Sequence, residues 1–252
     1  GHFIIQVMAT LGIGLLQEAD MRLHAAAERY QQMLTLLEDT PLAVACEAHL
    51  GLARIAYEWN DLEGAHRHAQ QSIQQAQQLE STDRSVAGLL FLARLRAAQG
   101  DSSQAHRLLE EAQRVAHQHQ FVHRIPEIAA EQGRLLLQQG NLTAAATLLE
   151  TFDLPLSRAR LLLAQHNPTA ALPLLEALRL TVEAKEWVDE RLKVLVLQAL
   201  AYAAEGTIDR ALHCLQEVLE RGATEGWVRL FVDEGLPMAQ LLAEASARGI
   251  AT

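Results

Sequence analysis

Alanine recurs along this chain at a nearly fixed step. Ala26, Ala65, Ala105, Ala145, Ala171 and Ala211 stand 39, 40, 40, 26 and 40 residues apart. A period of this length marks stacked supersecondary units, each too small to bury its own apolar face, instead of one globular core. Twelve positions before each alanine lies a second small residue: Gly14, Ala53, Ala93, Gly133, Ala159 and Ala199. Two small residues, one in each helix of a hairpin, let two backbones approach where side-chain ridges would otherwise collide. Between the two columns falls a helix-stopping pair or its relic: Asn60 and Asp61, Gly100 and Asp101, Gly140 and Asn141, His166 and Asn167, Gly206 and Thr207. Each predicts a turn between two helices. A third column, four residues after the alanine, reads Tyr30, Ala69, Leu109, Leu149, Leu175 and Leu215. It lies one turn along the same helix face and predicts packing against the next hairpin.

The pattern predicts six helix pairs: 3–18 with 21–38, 42–59 with 62–80, 84–99 with 102–119, 126–139 with 142–151, 156–165 with 168–182, and 186–205 with 208–222. The single step of 26 shortens the helices around it, and Pro155 and Pro168 set their starts. From Thr224 to Arg248 the period fails. An apolar stretch from Trp227 to Val232, a turn at Gly235 and a helix entered through Pro237 read as a terminal helical cap. The expected organisation is one all-α solenoid domain over 1–252, with repeats over 1–223 and the cap over 224–252.

Composition agrees. The chain is half apolar, only 4% aromatic and rich in good helix formers, and strand signals are missing. A formal net charge of −10 argues against a nucleic-acid surface, which needs clustered Lys and Arg. Cys46 and Cys214 sit in apolar helical patterns and read as buried free thiols suited to a reducing cytoplasm. The apolar run from Phe3 to Leu16 lacks a basic leader and is too short for a transmembrane helix, so neither secretion nor a membrane is expected. The chain opens on Gly1 and His2, which reads as a piece cut from something longer.

The two small columns, the turn between them and the large residue after the alanine resemble the tetratricopeptide repeat, with a period of 40 in place of about 34. The longer period resembles the tetratricopeptide-like region of large ATP-dependent bacterial activators of the MalT type, which carry a LuxR-type DNA-binding domain. Two stretches carry that resemblance: Gly133 to Ala145, GRLLLQQGNLTAA, and Trp227 to Leu242, WVRLFVDEGLPMAQLL. The resemblance implies a right-handed superhelical solenoid of about six antiparallel helix pairs with a C-terminal helical cap, ending in the start of a linker to a DNA-binding domain. It implies an effector-sensing and protein-interaction region of a transcriptional regulator, whose partners are a small-molecule effector or regulatory protein, neighbouring nucleotide-binding and DNA-binding domains, and a second copy in self-association. No stretch matches a phosphate loop, so no cofactor is expected here. A general scaffold for a peptide or protein partner is the alternative.

One residue after each small position of the first helix comes a position that faces the concave groove in tetratricopeptide superhelices. In units two to five it holds Arg54, Arg94, Arg134 and Arg160. Four arginines at equivalent places form a ladder that could present forked donors to carboxylate, phosphate or sugar hydroxyls. Glu47, Tyr57, Glu58 and Glu127 fall near that face. Two readings are open: the ladder lines a ligand groove, or it recurs as a packing and ion-pairing device, through spacings such as Arg54 to Glu58 and Glu131 to Arg134. Eleven histidines do not make a metal site, because His117, His119 and His123, or His66 and His68, point to different sides of their helices. No nucleophile elbow or metalloenzyme motif is present, so no catalysis is expected. Trp59, Trp187 and Trp227 read as packing anchors near helix ends.

Overall fold

The computed structural model describes residues 2–37 and 43–250. Fourteen helices and no strand occur among them, in pairs along the chain. They are α1 (His2–Ala19) and α2 (Leu23–Leu36), α3 (Val44–Glu58) and α4 (Leu62–Gln78), α5 (Thr82–Ala98) and α6 (Ser102–Gln118), and α7 (Arg124–Gln138) and α8 (Leu142–Leu149). There follow α9 (Pro155–Ala164) and α10 (Pro168–Ala184), α11 (Val188–Ala204) and α12 (Ile208–Glu225), and finally α13 (Arg229–Val232) and α14 (Leu236–Ala247). The helix ends expected at 38 and 42 and the domain end at 252 lie outside the described residues. The chain divides into two compact units, Gly1–Leu135 and Leu136–Thr252, and the division falls within α7.

The alanine column is buried throughout, from Ala26 and Ala65 to Ala171 and Ala211. The column twelve residues earlier is buried too, at Gly14, Ala53, Ala93, Gly133, Ala159 and Ala199. The third column, Tyr30, Ala69, Leu109, Leu149, Leu175 and Leu215, is buried as well. In the first unit one core joins Ala53, Ala65, Ala69, Ala93, Ala105 and Leu109 with Phe91 and Leu95.

The turns obey local chemistry. Asn60, Gly100, Gly140, His166 and Gly206 take positive φ, the left-handed conformation that ends a helix. The residue after each starts the next helix: Asp61, Asp101, Asn141 and Asn167 accept hydrogen bonds from Gly64, Gln104, Ala144 and Ala170 backbone N–H at 2.9–3.2 Å. In the first hairpin, where no such pair exists, Met21 adopts φ 58°. Gln120 and Glu186, at turns between hairpins, also take positive φ. Where the alanine step drops to 26, α8 has 8 residues and α9 has 10.

After the repeats, Gly226 closes α12 in the left-handed conformation and Trp227 folds back on Gly222. Gly235, at φ 71°, precedes the proline that opens α14. Trp227, Phe231, Met238, Leu241 and Ala245 are buried as α13 and α14 pack on α11, with α14 also touching α12.

The apolar run at the start lies within a longer helix of 18 residues, which by length and composition alone could cross a membrane, a test that core helices also pass. It packs through Val7, Leu11 and Gly14, while Ile4, Ile5, Met8, Ile13 and Leu16 are exposed.

Candidate functional site

Alternate helices of the first unit, α1, α3, α5 and α7, are joined by charged side chains. Arg54 on α3 closes on Glu18 of α1 through Nε to Oε1 and through Nη2 to Oε2 at 2.8 Å. Glu18 also accepts the Tyr30 hydroxyl at 2.6 Å, and burial together with that carboxylate pushes the Tyr30 phenol above its ordinary range. Arg84 on α5 reaches Glu47 on α3 at 2.9 Å. Arg124 on α7 holds Asp83 of α5 in a two-pronged pair at 2.8 and 2.9 Å and keeps that carboxyl below its usual range. Arg94 on α5 bonds both oxygens of Glu131 on α7, and Glu131 also lies 4.0 Å from Arg134 on its own helix.

Two of the four ladder arginines, Arg54 and Arg94, therefore clamp neighbouring first helices, while Arg134 lies beside Glu131 on its own helix. Arg54 and Arg94 keep about a third of their side chains in solvent, whereas Arg134 is more enclosed. Glu127 is half-exposed and accepts Arg124 at 2.8 Å. Tyr57, expected beside the arginines on the groove face, is buried and meets Phe91 edge-on at 5.9 Å between centroids. It sits four residues after Ala53, where the first repeat carries Glu18 four residues after Gly14. At Tyr57 that position meets Phe91 of α5, and at Glu18 it meets Tyr30 of α2 and Arg54 of α3.

In the second unit, Arg160 on α9 grips Glu234, in the turn after α13, through Nε at 3.0 Å and Nη2 at 2.6 Å. Both side chains are mostly shielded. Beside Glu234, Arg229 and Asp233 make a buried pair at 2.6 Å. Glu18 and Glu234 carry no repeat signal in the sequence, and Glu131 is legible there as the neighbour of Arg134 on its own helix but not as the partner of Arg94. Charge-bearing residues 36, 37 and 74 positions from the arginines are the one signal available, and many other residues share it.

An apolar cleft of about 640 Å³ opens in the second unit between Leu219, Ala223, Trp227, Phe231, Leu242 and Ile250. The indole Nε1 of Trp227 is buried there without a hydrogen-bond partner. Trp187, by contrast, is half-exposed with the Lys185 ammonium 4.3 Å from its ring, and Trp59 stacks on His24.

The histidines sort differently from their spacing. His68 on α4 faces His49 on α3, with the two Nδ1 atoms 3.1 Å apart. Burial, then the neighbouring imidazole, lowers His49 to about 4. No group of three or more His, Cys, Asp or Glu side chains converges among the described residues. Cys46 is buried and Cys214 half-buried, and burial raises both thiols.

Residues 1–248 match the family described as the MalT-like TPR region. Among solved structures, the crystal structure of aspartyl phosphate phosphatase F from Bacillus subtilis is similar at a TM-score of 0.65 and 12% identity, over 89% of this chain. The chain spans 62% of that protein's length, and the likeness is one of fold. No curated protein matches the sequence.

Proposed function

This chain belongs to the MalT-like TPR family, and we propose that it is the effector-sensing and protein-interaction region of a MalT-like, LuxR-family transcriptional regulator in the cytoplasm. In this reading a signal binds the solenoid and is relayed to nucleotide-binding and DNA-binding domains elsewhere in the regulator. The observation that carries it is the row of clamps Arg54 to Glu18 and Arg94 to Glu131. A ligand carboxylate, phosphate or array of hydroxyls competes with Glu18 or Glu131 for the same guanidinium forks. Because each fork holds one hairpin to the next, occupancy changes how neighbouring hairpins stack. Binding and relay are then one event: a ligand shifts the packing only through its preference for one arrangement. Glu47, Glu127 and Arg134 belong to the same proposed surface of the first unit, with Tyr57 in the core beneath it, and Arg160 is a separate candidate in the second unit, where it holds Glu234.

Thermal-shift titration against saccharides, carboxylates and phosphorylated metabolites tests this reading. A ligand at a hundred times its Kd stabilises by about 2.7 kcal/mol. The expected result is a rise in Tm in the native chain and no rise in an Arg54→Ala, Arg94→Ala double variant. No stabilisation by any class at millimolar concentration counts against a small-molecule sensor. The apolar cleft around Trp227 and Phe231 favours a second reading, a scaffold for a peptide or protein partner. That reading predicts a protein partner and no metabolite response.

A further inference from the structure

The repeat register shows what one exposed face of α1 is built to receive. Counting from the small residue of each first helix, the positions nine, five, two and one before it and two after it form a single helical stripe. On α3 these are Val44, Ala48, Gly51, Leu52 and Ile55. On α5 they are Arg84, Gly88, Phe91, Leu92 and Leu95. Both stripes are covered by the second helix of the preceding hairpin. The ring of Tyr30, from α2, fills the space beside Gly51, and the side chain of Ile73, from α4, fills the space beside Gly88. Ala48, Ile55 and Leu95 are at most 1% exposed as a result.

On α1 the same register places Ile5, Ala9, Gly12, Ile13 and Leu16. Here the stripe is open: Ile5 is 67%, Ile13 43% and Leu16 69% exposed. Gly12 is the repeat equivalent of Gly51, and nothing lies within 4 Å of where its Cβ would stand. Glycine in a helix interior costs about 0.5–1 kcal/mol against alanine, and at Gly51 that cost is explained by the tyrosine ring it admits. From Phe3 to Gln17 no residue carries a charge, so the stripe offers no ionic partner and suits only an apolar surface.

We infer that the outer face of α1 is a docking site for an amphipathic helix of a partner protein domain, seated as α2 is seated on α3, with a tyrosine or a comparably large side chain entering the space beside Gly12. The inference is the continuation of an interface the chain already forms repeatedly, at α2 on α3, at α4 on α5 and at α10 on α11. It requires of the partner an uncharged stripe and one large residue. It asks nothing of the arginine clamps, so it stands apart from the effector reading.

The experiment places a second copy of residues 2–42 directly ahead of the full chain, so that a duplicate α2 with the natural connecting sequence is offered to the original α1. The expected result is a Tm higher by a few degrees. Gly12→Leu in the original copy cancels that gain, because leucine fills the space meant for the duplicate Tyr30. In the chain without the added hairpin, Gly12→Leu leaves Tm unchanged or raised. No gain, or a gain indifferent to Gly12→Leu, overturns the proposal. Two measurements on the native chain decide the occupant. Light scattering is expected to show a monomer; a dimer dissolved by Leu16→Glu would give the face to a second copy and overturn the assignment. Sedimentation with phosphatidylcholine and phosphatidylglycerol vesicles is expected to leave the protein in solution, and co-sedimentation abolished by Leu16→Glu would give the face to lipid.

Discussion

Glu18 and Arg54, 36 residues apart on α1 and α3, meet fork to fork, and the same carboxylate accepts the hydroxyl of the fully buried Tyr30. One side chain thereby joins both helices of the first hairpin to the first helix of the second. Removing it leaves a buried phenol without its acceptor. An unsatisfied buried donor costs about 1–3 kcal/mol. Glu18→Ala is therefore expected to lower the urea midpoint by an amount corresponding to about 2 kcal/mol, and Glu18→Gln, which keeps an acceptor, by less. Equal losses in the two variants would show that the acceptor is not what matters.

Gly14 and Gly51 flank the Tyr30 ring from opposite helices, and a Cβ on Gly14 would stand 2.8 Å from its Cε1. Gly51→Ala forces the ring from its place and is expected to cost about 1–3 kcal/mol, the range for overpacking. Gly12→Ala, in open space on the same helical period, is expected to stabilise by about 0.5–1 kcal/mol through helix propensity. Equilibrium denaturation of the two variants checks the contrast, and a loss at Gly12 equal to that at Gly51 would contradict the packing described.

Gln120 and Glu186 are exposed residues held at φ 57° and 56° in turns between hairpins. The left-handed conformation costs a residue with a Cβ about 1–2 kcal/mol. Gln120→Gly and Glu186→Gly are expected each to gain about 1 kcal/mol after the added entropy of the unfolded glycine is set against that relief. Gly140→Ala, at φ 72° with open space around it, tests the same principle in reverse and is expected to lose a similar amount. Differential scanning calorimetry reads all three.

The facing imidazoles of His49 and His68 give the first unit a pH dependence. His49 has its folded pKa lowered to about 4 by burial and then by His68, while His68 is lowered by burial and by Arg67 against the opposing pull of Asp61. The unfolded chain, with histidine near 6.5, binds protons that the folded chain refuses. Stability is therefore fully present above about pH 6.5 and lost as pH falls from there through about 4, by on the order of 2 kcal/mol for His49. His49→Gln is expected to flatten Tm between those limits. Asp83, held low by Arg124, contributes a separate loss at lower pH, as its carboxyl protonates.

Much of this architecture is legible in the sequence. The alanine column, its small partner twelve residues earlier and the large residue four later are all buried, and the predicted turns at Asn60, Gly100, Gly140, His166 and Gly206 all take positive φ. These features repeat because each hairpin solves the same local problem: two backbones in close approach need small residues, and a helix end needs a left-handed residue followed by a cap. The charged surface was only half legible. Arg54 and Arg94 stand in register, but the carboxylates that hold them do not, and Tyr57, at the repeat position of Glu18, is buried.

What the sequence by itself determined is the stacking: helical pairs, their turns and their small-residue seams, all set by chemistry within some forty residues. The tertiary structure alone decided which side chains meet across the stack. Whether Arg54 closes on Glu18, or Gly51 admits Tyr30 while Gly12 is left open, depends on how one helix is rotated against the next. That rotation is fixed by packing over the whole interface and has no period of its own.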